Sequence, residues 1–157
     1  MPTAGDAPHA SVLVVDDEPD VAEALRGLLE TGLQGPVHLR IALTAEEGSR
    51  MLREGPVDLV LCDFKLPGRN GVEFLREVRE QAPATRRVLM TAYADLGVAM
   101  DAINHAAVDT FIQKPFEPEE VLVRVEELLG EKRAREQREQ AFARALEALR
   151  KRVELGA

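Results

Sequence analysis

The chain has 157 residues, of which 45% are apolar and 31% charged, and its net charge is −8. That profile belongs to one globular domain with room for an appendage, not to a disordered chain. No run of about 18 apolar residues is present, which argues against a spanning helix, and residues 1–10 lack the basic start and apolar core of a secretion signal.

Ser11-Val12-Leu13-Val14-Val15 reads as a buried strand that runs into Asp16-Asp17-Glu18-Pro19. Pro19 opens a helix with Val21, Ala24, Leu25, Leu28 and Leu29 at helical spacing, and Gly32, Gly35 and Pro36 close it. Val37 to Leu43 is a second strand. Thr44-Ala45-Glu46-Glu47 matches a capping box and starts a helix to about Arg53, broken by Gly55-Pro56. Val57 to Cys62 is a strand whose apolar run Leu59-Val60-Leu61-Cys62, covered on both faces, leads straight into Asp63. Lys65, Leu66, Pro67 and Gly68 end that run. Asn70 caps the next helix, with Val72, Phe74, Leu75 and Val78 inward, and Pro83 stops it. Arg87 to Thr91 is a short buried strand. Asp95 caps a fourth helix through Val98, Ala102 and Ile103. Thr110-Phe111-Ile112 is the last strand, and Pro118 opens the final helix.

Five strands alternating with five helices predict an α/β fold. The layout is a doubly wound, flavodoxin-like parallel sheet of order 2-1-3-4-5, with helices on both faces. The division along the chain is a flexible N-terminus (1–10), a main domain (11–129) and a helical extension (130–157). In the extension the spacing of Val121, Val125 and Leu128 continues through Lys132, Arg135 and Glu139 to Phe142, Leu146, Leu149 and Val153. The seam is apolar at both ends and polar in the middle, which fits a coiled-coil linker interrupted by charge. Residues 131–157 carry eight Lys or Arg against five Glu, leaving −11 on the preceding 130 residues. An acidic body argues against nucleic-acid binding, and the mixed-sign tail reads as a solvated helix.

In a 2-1-3-4-5 sheet the residues after strands 1, 3, 4 and 5 meet at one edge, the usual ligand site of this architecture. Those residues are Asp16 and Asp17, Asp63, Thr91, and Lys114-Pro115. Three carboxylates about 5 Å apart repel by about 3 kcal/mol per pair, and one lysine does not neutralise them. Oxygen donors without His or Cys select a hard divalent cation such as Mg²⁺. One carboxylate would then act as nucleophile toward a phosphoryl group, with Thr91 and Lys114 holding its oxygens. Cys62, the one cysteine, reads as an apolar filler and suits a cytoplasmic protein. His9, His38 and His105 do not form ligand spacing.

This set strongly resembles the receiver domain of two-component response regulators over about Ser11 to Leu129. Asp63 stands as the phosphoacceptor, with Pro67 four and Gly71 eight positions on. Phe111, three before Lys114, occupies the switch-aromatic position. The resemblance implies that a sensor histidine kinase or phosphotransfer protein donates phosphoryl to Asp63. It implies Mg²⁺ ligation by Asp17, Asp63 and the Lys65 carbonyl, with Asp16 acting through water. It further implies that Thr91 and Phe111 reset the surface of the fourth helix, fifth strand and final helix for a partner, for a homodimer, or for an effector domain elsewhere in a longer chain. Such a domain is a signalling switch that catalyses its own phosphorylation and dephosphorylation. Lys65 and Tyr93, two after Asp63 and Thr91, are poor at orienting water and predict slow phosphoryl loss. The competing readings are a phosphorylation-independent scaffold that oligomerises through the final helix, and a phosphatase. The phosphatase reading is opposed by Lys65 standing where an acid/base carboxylate belongs.

Overall fold

Ala10–Val15 (β1), Val37–Ala42 (β2), Leu59–Asp63 (β3), Arg86–Ala92 (β4) and Thr110–Lys114 (β5) form one parallel sheet in the order β2-β1-β3-β4-β5. Pro19–Gly32 (α1), Ala45–Glu54 (α2), Gly71–Gln81 (α3) and Pro118–Glu154 (α4) are the helices. The computed structural model describes residues 9–95, 97, 100 and 108–156. The helix expected over Val98, Ala102 and Ile103 lies outside the described residues. Its expected cap, Asp95, ends a short 3₁₀ turn, Tyr93–Asp95.

Strand side chains alternate between two cores. Val12, Val14, Leu59, Leu61, Val88, Met90 and Ile112 pack against α1 and α4. Leu13, Val15, Val60, Cys62 and Leu89 pack against α2 and α3. Both faces of the central strands are covered, which is why they read as unbroken apolar runs and not as alternating ones.

Several boundaries move for identifiable reasons. β3 begins at Leu59, because Asp58 uses its backbone to link Ser11 O at 2.8 Å and Arg86 N at 2.9 Å. It extends to Asp63, which pairs with Met90. β5 extends to Lys114, which pairs with Ala92. The Thr44 hydroxyl accepts from Glu47 N–H at 3.1 Å, as a capping box requires. The return bond differs: Glu47 accepts from Leu43 N–H at 3.1 Å, not from Thr44. Asn70 caps α3 by accepting from Glu73 N–H at 2.9 Å.

α4 runs 37 residues without a break, through Gly130. At 1.5 Å per residue it is about 55 Å long. Val121, Val125, Leu128 and Leu129 are buried against the sheet. Lys132 reaches back to Asp58 at 2.9 Å. From Arg135 onward the helix leaves the body and is almost wholly exposed. Among the described residues no helix is long and apolar enough to cross a membrane.

Candidate functional site

The C-terminal ends of the parallel strands open onto one cleft. Asp17 and Glu18 after β1, Asp63, Phe64 and Lys65 from β3 and its loop, Ala92 and Asp95 after β4, and Lys114 of β5 line a space of about 280 Å³. Asp16, Asp17 and Asp63 each offer a carboxylate oxygen, and these atoms lie within 4.8 Å of one another. Lys114 Nζ sits at 2.8 Å from Asp16 Oδ2 and at 3.4 Å from Asp63 Oδ1. The expected meeting of these four side chains is observed.

The three carboxylates are not equivalent. Asp16 is fully buried and both its oxygens are engaged, Oδ2 with Lys114 and Oδ1 accepting from Glu18 N–H at 2.9 Å. Asp17 is exposed and faces the cleft. Asp63 is buried at 7% exposure. Burial raises its pKa from 3.8 to about 6, with Asp16 and Asp17 adding to the rise and Lys114 opposing it. Burial pulls the Lys114 ammonium down, but its bonds to Asp16 and Asp63 outweigh that and leave its pKa raised. The site is therefore short of positive charge. An all-oxygen donor set with three carboxylates against one lysine fits a hard divalent cation.

Thr91 is fully buried one residue beyond the Asp63–Met90 pair, and its hydroxyl donates to Ala92 O at 3.3 Å. Phe111 on β5 is half-buried beside Leu89, against the α2–α3 core. The Lys65 side chain is exposed, lines the cleft and pairs with Asp95 Oδ1 at 3.5 Å. Asp95 and Glu18 line the cleft, a role that sequence reasoning does not assign. The spacing around Asp95 indicates only a helix cap, and no spacing rule connects a residue after β4 with one after β3.

The loop between Asp63 and α3 is held tightly. Phe64 N–H donates to Met90 O at 2.8 Å and Gly71 N–H to Phe64 O at 2.7 Å. A Cβ on Gly71 would meet Asp63 O at 2.1 Å, so only glycine fits there. Gly68 has a positive φ of 81°. Arg69 braces the loop from the other side, donating to Glu77 Oε1 at 2.7 Å and Ser49 Oγ at 2.8 Å and lying 5.9 Å over the Phe74 ring. No sequence signal announces this brace. Burial alone would raise the Glu77 carboxyl, but the Ser49 and Arg69 contacts outweigh it and lower its pKa. Cys62 is buried, and burial followed by the neighbouring Asp63 charge pushes its thiol well up, which keeps it unreactive.

Residues 12–126 match the family model of the response regulator receiver domain. The chain is 36% identical over 114 residues to the hydrogenase transcriptional regulatory protein HoxA of Cupriavidus necator, covering 73% of this chain and 23% of that protein. It is 35% identical over 121 residues to the transcriptional regulatory protein ResD of Bacillus subtilis, covering 77% and 48%. The chain thus spans from 23% to 48% of the length of these relatives. Among solved structures, the signal receiver domain of an HD domain-containing protein from Pseudomonas fluorescens superposes with a TM-score of 0.77 at 27% identity, over 88% of this chain and 99% of that one. A CheY-like receiver domain protein from Methanospirillum hungatei gives a TM-score of 0.74 at 29% identity, over 82% and 99%.

Proposed function

The chain belongs to the response regulator receiver domain family, and from that premise we propose that Asp63 is its phosphoacceptor. The donor is a phosphohistidine on a sensor histidine kinase or phosphotransfer protein. An Asp63 carboxylate oxygen forms the new P–O bond as the P–N bond to the donor imidazole breaks. The electron pair stays on that nitrogen, which takes up a proton. The observation that carries this reading is the placing of Lys114 Nζ between Asp16 at 2.8 Å and Asp63 at 3.4 Å. A cation is held beside the nucleophile where the charge of an incoming phosphoryl group develops.

Asp17 and Asp63, with the Lys65 carbonyl, would hold Mg²⁺. Asp16, whose oxygens are already engaged, would contribute only through water. When bound, the ion neutralises the carboxylates and the phosphoryl oxygens together. Lys114 remains paired with Asp16 and turns its second contact from Asp63 to a phosphoryl oxygen. Thr91 exchanges its contact with Ala92 O for another phosphoryl oxygen, and Phe111 moves into the space it leaves. The surface of the fourth predicted helix, β5 and α4 is then the output. Its target is a partner protein, a second copy of this chain, or an effector domain elsewhere in a longer chain.

Acetyl phosphate with Mg²⁺ should add the mass of one phosphoryl group, lost on hydroxylamine treatment. Chelation of Mg²⁺ or Asp63→Asn should abolish the gain. Equal labelling of wild type and Asp63→Asn would remove Asp63 from this role.

A further inference from the structure

The part of α4 that leaves the body carries a stripe with no covering group among the described residues. Phe142, Leu146, Leu149 and Val153 follow one another at intervals of four, three and four, and are 66%, 51%, 58% and 76% exposed. Ala143 and Ala145 flank the stripe and leave room for close approach. Four large apolar side chains in one line on a protruding helix are costly to hydrate, and a helix draws most of its stability from packing such a face.

We propose that a second copy of this chain covers the stripe, forming a parallel two-stranded coiled coil over residues 135–153. The stripe is its own complement under a two-fold axis, as a closed dimer requires. In heptad terms Leu146 and Val153 take the a positions and Phe142 and Leu149 the d positions. Val153 at a with Leu149 at d suits two parallel strands, and Leu146 and Phe142 fill the layers before them. One turn earlier stand Arg135 (d) and Glu139 (a), paired within the chain at 3.1 Å. Parallel pairing sets Arg135 against Arg135 and Glu139 against Glu139, and each arginine also lies beside the second copy's Glu139 in the next layer, so the four charges form a neutral group. An antiparallel pairing that aligns the same apolar residues sets Phe142 against Val153 and carries Glu139 past the helix end, wasting that complementarity.

The next seam position, Lys132, is withdrawn. Its ammonium is held by Asp58 at 2.9 Å and is also paired with Glu136. Two like charges are thereby kept out of the seam, and Lys132 marks where the paired helices part to reach their own receivers. The apolar portion spans fewer than two heptads, below the three or four of a self-sufficient coiled coil. The dimer is therefore reversible on dilution. The pairing is independent of phosphoryl chemistry, so Asp63→Asn should leave it intact.

Sedimentation or light scattering of the full chain should show the mass rising toward twice the monomer with concentration. Leu146→Asp should weaken association at least about tenfold by burying a charge in the seam and lower the helical circular dichroism of the extension as its packed face is lost, with hydrogen exchange of the receiver sheet unchanged. Because Cys62 is fully buried, an introduced thiol is a clean reporter. Val153→Cys should oxidise to a disulfide-linked dimer, since parallel pairing puts the two thiols side by side. Antiparallel pairing would hold them about 16 Å apart. A monomer at every concentration, a dimer indifferent to Leu146→Asp, or cross-linking only between Phe142→Cys and Val153→Cys chains would each overturn the proposal.

Discussion

At Asp63 burial and crowded negative charge act on one carboxyl group. Its pKa is raised from 3.8 to about 6, chiefly by burial. Between about pH 4 and 6 the folded chain keeps a proton that the unfolded chain has released, so stability falls as pH rises through that window. At neutral pH the ionised group lowers stability by up to about 3 kcal/mol. Asp63→Asn should accordingly raise the urea midpoint at pH 7.5, and the gain should shrink toward nothing by about pH 4. A midpoint that is unchanged or lower at pH 7.5 would show that Lys114 already compensates the charge. Lys65 presents a second test. Its 3.5 Å pair with Asp95 ties down a carboxylate that lines the cleft. Lys65→Ala frees Asp95 to orient water and should shorten the phosphoryl lifetime several-fold to about tenfold, measured as decay of radiolabel. Adding Asp95→Asn should restore the slow decay. The slow loss read from Lys65 and Tyr93 therefore depends on a contact invisible in sequence. Sequence places carboxylates at strand ends, but a pairing between two surface loops depends on how each loop folds.

Among the elements, the central strands β1, β3 and β4 are the most legible because both their faces are covered and their apolar runs are unbroken. The apolar run puts Asp63 just after its strand, yet it is the strand's last residue, because β4 supplies a partner in Met90. The loop that follows is less legible. Pro67, Gly68 and Gly71 mark a turn, but nothing in their spacing shows that Arg69 spans to Ser49 on α2 and Glu77 on α3. Removing that brace leaves the Glu77 carboxylate, already held below its ordinary pKa, without its charged donor. Arg69→Ala should cost about 1–3 kcal/mol in urea unfolding and should weaken Mg²⁺-dependent shifts of the loop amides. A fully retained Mg²⁺ response would confine Arg69 to stability. Gly71→Ala should be more severe, since its Cβ would stand 2.1 Å from Asp63 O. The expected result is loss of phosphoryl labelling together with a large drop in melting temperature.

For the molecule as a whole, the division at residues 129 and 130 is not a structural break. α4 passes through Gly130 without interruption, and Lys132 still contacts the body through Asp58. We propose the functional boundary after Ala134, beyond which α4 is almost wholly exposed. Gly130 sits mid-helix, and a methyl group added there would meet nothing within 4 Å. Gly130→Ala should therefore stabilise the chain by about 0.5–1 kcal/mol and stiffen the link between receiver and extension. An unchanged or lower midpoint would mean that the helix needs to flex there. The polar interruption of the seam is legible in sequence, but the commitment of Lys132 to Asp58 is not, because that pair joins residues 74 apart in the chain. The receiver domain carries the cleft at the C-terminal ends of its strands, and α4 leaves the body at their opposite ends beside Asp58; the proposed function as a whole turns on Asp63. After phosphorylation, borohydride should reduce the acyl phosphate and convert the side chain at position 63 alone to homoserine, read by peptide mass mapping. Homoserine at another position, or none in a chain that has gained a phosphoryl group, would contradict it.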